Sequence, residues 1–222
     1  MVSNRFFAAL LTGLCFCTLV APAIAQSARA RATAGVDLPA RLKEVKSDPK
    51  LNDATFKTGR KVAAVCDNCH GEGGNSPKPD IPNLAGQNPA YLLEQLRQYV
   101  EGRRRDEFME RMIKVMNADE KIGMVLFYAS QRVAHKPALK TALVAKGKEF
   151  YIKGCLSCHD EDGRGDEKIA RIAGQQPDYL SMTLKRYRAG TAVRMNPRMA
   201  NSTRLMTDAD IDAVVSYVMS ME

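Results

Sequence analysis

Apolar side chains recur at helical spacing through most of the chain. Leu92, Leu96, Tyr99 and Val100 fall on one face of a helix that Pro89 opens, and Leu180, Leu184 and Tyr187 repeat the pattern after Pro177. Two further stripes predict the last helix of each half: Ile122, Val125, Leu126 and Ala129, then Ile211, Val214, Val215 and Val218. Both carry a start signal. Asn117 with Glu120, and Thr207 with Asp210, each set a capping side chain three positions ahead of an acid. No run alternates with the period of two that a strand needs, so the fold class is all-α.

The stripes come in two sets with a period close to 89 residues. Ala85-Gly86-Gln87 returns as Ala173-Gly174-Gln175, Tyr91-Leu92 as Tyr179-Leu180, Gly102 as Gly190, and Ile122 and Tyr128 as Ile211 and Tyr217. Two homologous domains follow, over 53–134 and 143–222, joined by a linker at 135–142. A unit of about 80 residues is marginal on its protein core alone. Gly59 and Gly147, in the first helix of each unit, are placed to let the last helix cross closely near Tyr128 and Tyr217.

The beginning of the chain follows other rules. Arg5, an apolar run from Phe6 to Val20 and the small residues of Ala23-Ile24-Ala25 read as a signal peptide over 1–25, cleaved before Gln26. The apolar run is short for a bilayer span, so an exported, periplasmic protein is expected. Residues 26–52 read as a mobile or loosely packed extension, or else as a docking arm with a short helix from Pro39 to Lys46.

Charge adds a partner class. The net charge of +8 drops to +7 when Arg5 leaves, a balance that suits acidic protein surfaces or peripheral association with anionic lipid headgroups. Export and the lack of a binding motif disfavour nucleic acid. Oligomeric state is not legible.

The chemistry lies in one pentapeptide used twice. Cys66-Asp67-Asn68-Cys69-His70 and Cys155-Leu156-Ser157-Cys158-His159 both read Cys-x-x-Cys-His, the pattern of c-type haem attachment. A lone Cys-x-x-Cys also suits a thioredoxin-like redox site, and cysteines in an exported chain suggest disulfides. Neither explains a histidine after both pairs. With Cys15 and Cys17 lost in the leader, the remaining thiols attach two covalently bound haem c groups through Cys66, Cys69, Cys155 and Cys158. His70 and His159 ligate the irons, and the haem faces supply the missing apolar interior.

The opposite ligand of each iron separates a carrier from a catalyst, because a thioether closes the site and raises its potential. Ten methionines remain after Met1, and most should fill cores. Position singles out Met109 and Met199, each seven residues before the methionine that precedes a last-helix cap and 39 and 40 residues after the histidine. Met112 and Met195 are the rivals, and Met116, Met124, Met182, Met206 and Met219 read as core. His135 reads as a solvated linker histidine. Pro82 is a plausible source of the carbonyl that holds the His70 ring. Gln87, Tyr91, Gln175 and Tyr179 either hold haem propionates or pin loop to helix, and Arg103-Arg104-Arg105 reads as a solvated loop.

From Asp53 onward the chain resembles the dihaem cytochrome c4 family. The resemblance rests on Cys66 to His70 followed by Gly73-Gly74-Asn75-Ser76-Pro77, on Pro82 to Gln87, on Tyr91-Leu92-Leu93-Glu94-Gln95-Leu96, and on their second copies. It implies two tandem class I cytochrome c domains related by pseudo-twofold symmetry, with propionate edges facing across the interface. It also implies axial pairs at His70 with Met109 and His159 with Met199. Members carry electrons in the periplasm between the respiratory chain and terminal oxidases or other reductases, which implies a membrane cytochrome complex or oxidase as partner. Three departures stand out: Ile169-Ala170-Arg171-Ile172 lacks the usual Pro, Asp160 replaces the Gly after the motif, and residues 26–52 have no counterpart.

The leading reading is therefore an electron carrier without substrate chemistry. An electron-accepting dihaem subunit of an enzyme complex, such as a flavocytochrome c sulfide dehydrogenase, is the alternative. A dihaem peroxidase or thiosulfate dehydrogenase is the third, and no open or His-switched site supports it.

Overall fold

The computed structural model describes residues 35–137, 140–191 and 193–221. The leader, residues 26–34 of the extension and Ala138 in the linker lie outside the described residues. Among the described residues no helix is long and apolar enough to cross a membrane.

Helix α1, Leu38–Ser47, occupies the stretch where a loose extension was one of two expectations. Asp37 caps it by accepting the Ala40 N–H at 3.1 Å. Leu38, Leu42 and Val45 lie at i, i+4 and i+7, and the last two bury against the first core. Arg41 ties the helix to Asp119 at 3.0 Å. The segment is packed, not loose.

Helix α2, Pro49–His70, begins at a second capped proline and runs unbroken through the first Cys motif. Its counterpart is broken: α6 spans Val144–Gly154, Cys155 leaves helical geometry, and α7 resumes over Leu156–His159. Gly154 stands at the repeat position of Val65, and glycine weakens a helix there by about 1 kcal/mol. Four of the remaining helices fall where the stripes predict them: α3 (Pro89–Val100) and α5 (Ala118–Ala129) in the first unit, α8 (Pro177–Arg188) and α10 (Asp208–Met219) in the second, while α4 (Glu107–Lys114) and α9 (Pro197–Thr203) lie where no stripe predicted a helix. Both expected capping boxes are formed, at Asn117 with Glu120 and at Thr207 with Asp210. Each such cap stabilises its helix by about 1 kcal/mol.

The glycine crossings organise both units. A Cβ on Gly59 would lie 1.9 Å from the Gly123 carbonyl carbon, and one on Gly147 would lie 2.0 Å from the Ala213 oxygen. In the first unit α2 meets α5 at Gly123 and Met124, more than a turn before the expected Tyr128; in the second, Tyr217 is at the contact as expected. Around these crossings lie two separate cores. Ile122, Val125 and Tyr128 centre the first, and Tyr151, Ile211 and Val218 centre the second.

The two units meet with repeat-equivalent residues facing one another, as a pseudo-twofold axis requires. Arg104 and Arg194 form an antiparallel bridge, and the Arg105 N–H donates to the Val193 carbonyl at 2.7 Å. Tyr179 N–H donates to the Pro79 carbonyl at 2.9 Å.

Candidate functional site

One continuous cavity of about 1040 Å³ runs through both units. That is at the top of the roughly 300–1000 Å³ range of a site for one small molecule. Cys66, Cys69, His70 and Met109 line its first half, and Cys155, Cys158, His159 and Met199 line its second. The sequence-selected residues are therefore brought together as two matched sets.

Both histidines end a helical segment and are buried. His70 Nδ1 lies 2.9 Å from the Pro82 carbonyl, and His159 Nδ1 lies 2.9 Å from that of Ala170. A carbonyl only accepts, so Nδ1 carries the proton and Nε2 keeps its lone pair. Burial lowers both pKa values despite those carbonyls, which holds the rings neutral, the form that ligates a metal. The missing Pro of the second copy costs nothing here, since a backbone oxygen does the work. Asp160 is different. Its φ of 62° and ψ of 172° lie in a region that glycine occupies at Gly71, and about 1–3 kcal/mol of strain is stored. Its carbonyl accepts the Tyr151 hydroxyl at 2.6 Å, which helps hold it there.

No disulfide joins the four cysteines of the two motifs. Burial pushes the Cys66 thiol up, and burial with the neighbouring Cys158 takes Cys155 to about 11. A dithiol poised for exchange has a lowered pKa instead, and neither Cys66 nor Cys155 shows one.

Met109 and Met199 occupy the same position of equivalent short helices. Asp106 Oδ1 accepts the Met109 N–H at 3.0 Å, and Asn196 Oδ1 accepts that of Met199 at 3.1 Å. Met195, the rival in the second unit, is 66% exposed and does not line the cavity. Met112 also lines the cavity, but its repeat partner is Ser202, which has no sulfur. Met116, Met124 and Met219 are core residues, and Met206 packs against the second core. Met182 is half-buried, and it lines the cavity as Met116, Met124 and Met206 also do. His135 is an exposed linker residue whose Nδ1 meets the Met221 carbonyl at 3.1 Å.

The arginine run divides. Arg103 pairs with Glu101 at 2.7 Å and Glu94 at 3.1 Å, and Arg105 is exposed, as a solvated loop requires. Arg104 instead turns into the interface beside Arg194. Among the described residues, every side-chain hydrogen bond these two make goes to a neutral group: Arg104 to Gln95 at 2.9 Å and Tyr179 at 3.1 Å, Arg194 to Tyr179 at 2.8 Å, to Gln95 at 3.3 Å and to Tyr91. Arg104 also lies 4.6 Å over the Tyr99 ring, and Arg194 5.5 Å over that of Tyr187. Burial alone would raise the Tyr179 pKa, but the two guanidiniums outweigh it and bring it down to about 8. Paired cations held by neutral partners in a cavity leave room for anions. Arg171 points the same way, since its buried Nε has no hydrogen-bond partner among the described residues. A haem brings carboxylates to such a cavity, so the donor set, the apolar walls and these cations fit the group. Sequence reasoning missed Arg104 and Arg194, although the 90-residue offset of Met109 and Met199 also aligns them.

Gln87 and Gln175 do not face the cavity as free donors. Both ends of each amide bond the backbone of the opposite unit. The pinning is between units rather than within one.

A family model for cytochrome c matches residues 144–222. Together with the two histidine sites, it defines the class: the protein is a c-type cytochrome. Cytochrome c4 of Pseudomonas aeruginosa is 30% identical over 175 residues, covering 73% of this chain and 87% of the relative. The chain belongs to the cytochrome c4 family. The crystal structure of reduced recombinant cytochrome c4 from Pseudomonas stutzeri superposes with a TM-score of 0.69 at 27% identity, covering 75% of this chain and 98% of that one. A thiosulfate dehydrogenase electron acceptor from Thiomonas intermedia is 30% identical over 178 residues, covering 74% of this chain and 82% of the relative.

Proposed function

We propose that this protein is a periplasmic carrier that moves single electrons from respiratory-chain donors to a terminal oxidase or reductase. Two haem c groups are attached at Cys66 and Cys69 and at Cys155 and Cys158, ligated by His70 with Met109 and by His159 with Met199. The observation that carries this reading is the pair of matched His and Met positions on one cavity shared by both units. When bound, haem iron supplies a one-electron couple. The chain's residues would do the rest: neutral rings fixed by Pro82 and Ala170 would present Nε2, Met109 and Met199 would supply thioether ligands, and Arg104, Arg171 and Arg194 would hold carboxylates. The units are taken as 53–134 and 143–222, with 135–142 between them and a leader removed after Ala25. The basic charge suits acidic partner surfaces and the headgroups of a membrane face.

A second reading has support from the thiosulfate dehydrogenase electron acceptor among its relatives. In it the protein is the electron-accepting partner of an enzyme, as the dihaem subunit of a flavocytochrome c sulfide dehydrogenase is. Rapid mixing separates the two. Ferrous protein added to aerobic membranes that hold a terminal oxidase should be reoxidised quickly, with a rate that falls as salt rises. No reoxidation there, with fast reduction by a thiosulfate or sulfide dehydrogenase turning over its substrate, would transfer the assignment to the second reading.

A further inference from the structure

Each ligating histidine leans on one peptide group of its own unit, and the other end of that same peptide group is held by the opposite unit. The Pro82 carbonyl that receives His70 Nδ1 at 2.9 Å shares its amide plane with the Asn83 N–H. That N–H donates to Gln175 Oε1 at 2.7 Å, and Gln175 Nε2 donates back to the Asn83 carbonyl at 3.0 Å. The second unit reproduces the arrangement with the roles exchanged. Ala170 receives His159 Nδ1 at 2.9 Å, the Arg171 N–H of the same peptide group donates to Gln87 Oε1 at 2.7 Å, and Gln87 Nε2 donates to the Arg171 carbonyl at 2.8 Å. Each glutamine oxygen also accepts the N–H of the next residue, Asn88 at 3.1 Å and Gln176 at 2.9 Å, which fixes its rotamer. Asn83, Gln87 and Gln175 are all buried.

We infer that Gln175 and Gln87 are positioning residues for the iron-ligating histidine of the opposite unit, so that docking of the two units sets both haem potentials reciprocally. This rests on the proposed ligation by His70 and His159. The physics is a short chain of polarised groups. An amide that donates its N–H moves electron density onto its carbonyl oxygen, strengthening the next hydrogen bond by about 10–30%. A stronger acceptor at Nδ1–H makes the imidazole a better donor at Nε2 and fixes its ring. A richer imidazole favours the oxidised iron and lowers the potential. The two-point grip also fixes the tilt of the peptide plane, so a shift of one unit against the other reaches both rings together.

The test uses the full-length dihaem protein and the substitutions Gln175→Leu, Gln87→Leu and Gln176→Leu. Gln176 is the control, because it bonds Ser76 and the Asn83 side chain across the same interface without touching the peptide behind His70. Haem-resolved potentials come from a redox titration followed by NMR, with each haem assigned to its unit. Amide exchange at Asn83 and Arg171 gives a second readout that needs no electron transfer. Gln175→Leu should raise the potential of the first-unit haem and speed exchange at Asn83, leaving the second-unit haem in place. Gln87→Leu should do the converse at the second-unit haem and Arg171. Gln176→Leu should shift neither haem selectively. The two glutamine variants decide independently, so failure of one to fold leaves the other to answer. Equal shifts at both haems, shifts at the haem of the variant's own unit, or no shift would overturn the coupling alone. A parent protein without two titrating haems would overturn the ligation and the coupling together.

Discussion

Gly59→Ala and Gly147→Ala are each expected to destabilise the protein by about 3 kcal/mol or more, at or beyond the upper end for overpacked sites. The added methyl group meets backbone in both places, 1.9 Å from the Gly123 carbonyl carbon and 2.0 Å from the Ala213 oxygen. No side chain can swing aside to relieve the contact. The helices must separate, and with them the cores that frame each histidine. Domains hold only about 5–15 kcal/mol in total, so either change consumes a large share. Gly154 is the internal control, since no protein atom lies within 4 Å of a Cβ built there and its repeat partner Val65, on the same cavity, carries a larger side chain. Gly154→Ala should be neutral or stabilise by up to about 1 kcal/mol through helix propensity. Denaturant midpoints of the three variants check this, and similar midpoints for Gly59→Ala and Gly154→Ala would show that the α2–α5 crossing is misplaced.

Met109→Ala and Met199→Ala are expected to open one haem each. The near-infrared sulfur-to-iron band should fall by about half in either variant. The affected haem should bind carbon monoxide when reduced, and its potential should drop by a sizeable part of the roughly 0.8 V over which axial ligands act. Each variant should leave the other haem closed. Met112→Ala and Met195→Ala should keep the band intact, since Met195 is exposed and Met112 has Ser202 as its repeat partner. Loss of the band in Met112→Ala with retention in Met109→Ala would reverse the first-unit assignment.

What was legible in the sequence was local or repeated. Pro89 and Pro177 mark helix starts because proline suits a first helical turn, and the two capping boxes involve residues three apart. The motif cysteines and histidines were visible because the same spacing occurs twice. The crossing glycines were visible by position, although α5 meets Gly59 earlier along its length than its tyrosine suggested. The interface was hidden because its partners are far apart in the chain. Nothing near Gln175 announces Asn83, and charged neighbours in the loop disguised Arg104 as solvated. Helix α1 was ambiguous because its apolar stripe is only two turns long and its partner surface is shared among α2, α3 and α5. The break at Cys155 falls directly after Gly154, which stands where the first copy has Val65 and weakens the helix where it turns into the motif.

The central claim is two closed, sulfur-ligated haems in one chain. An optical redox titration of the mature protein, made with intact haem-attachment machinery and followed through the near-infrared band, tests it most directly. Two one-electron steps are expected, with the sulfur-to-iron band present at full strength for both haems and lost in two parts as the iron is reduced. A single step, an absent band, or resting reduced protein that takes up carbon monoxide at once would contradict it.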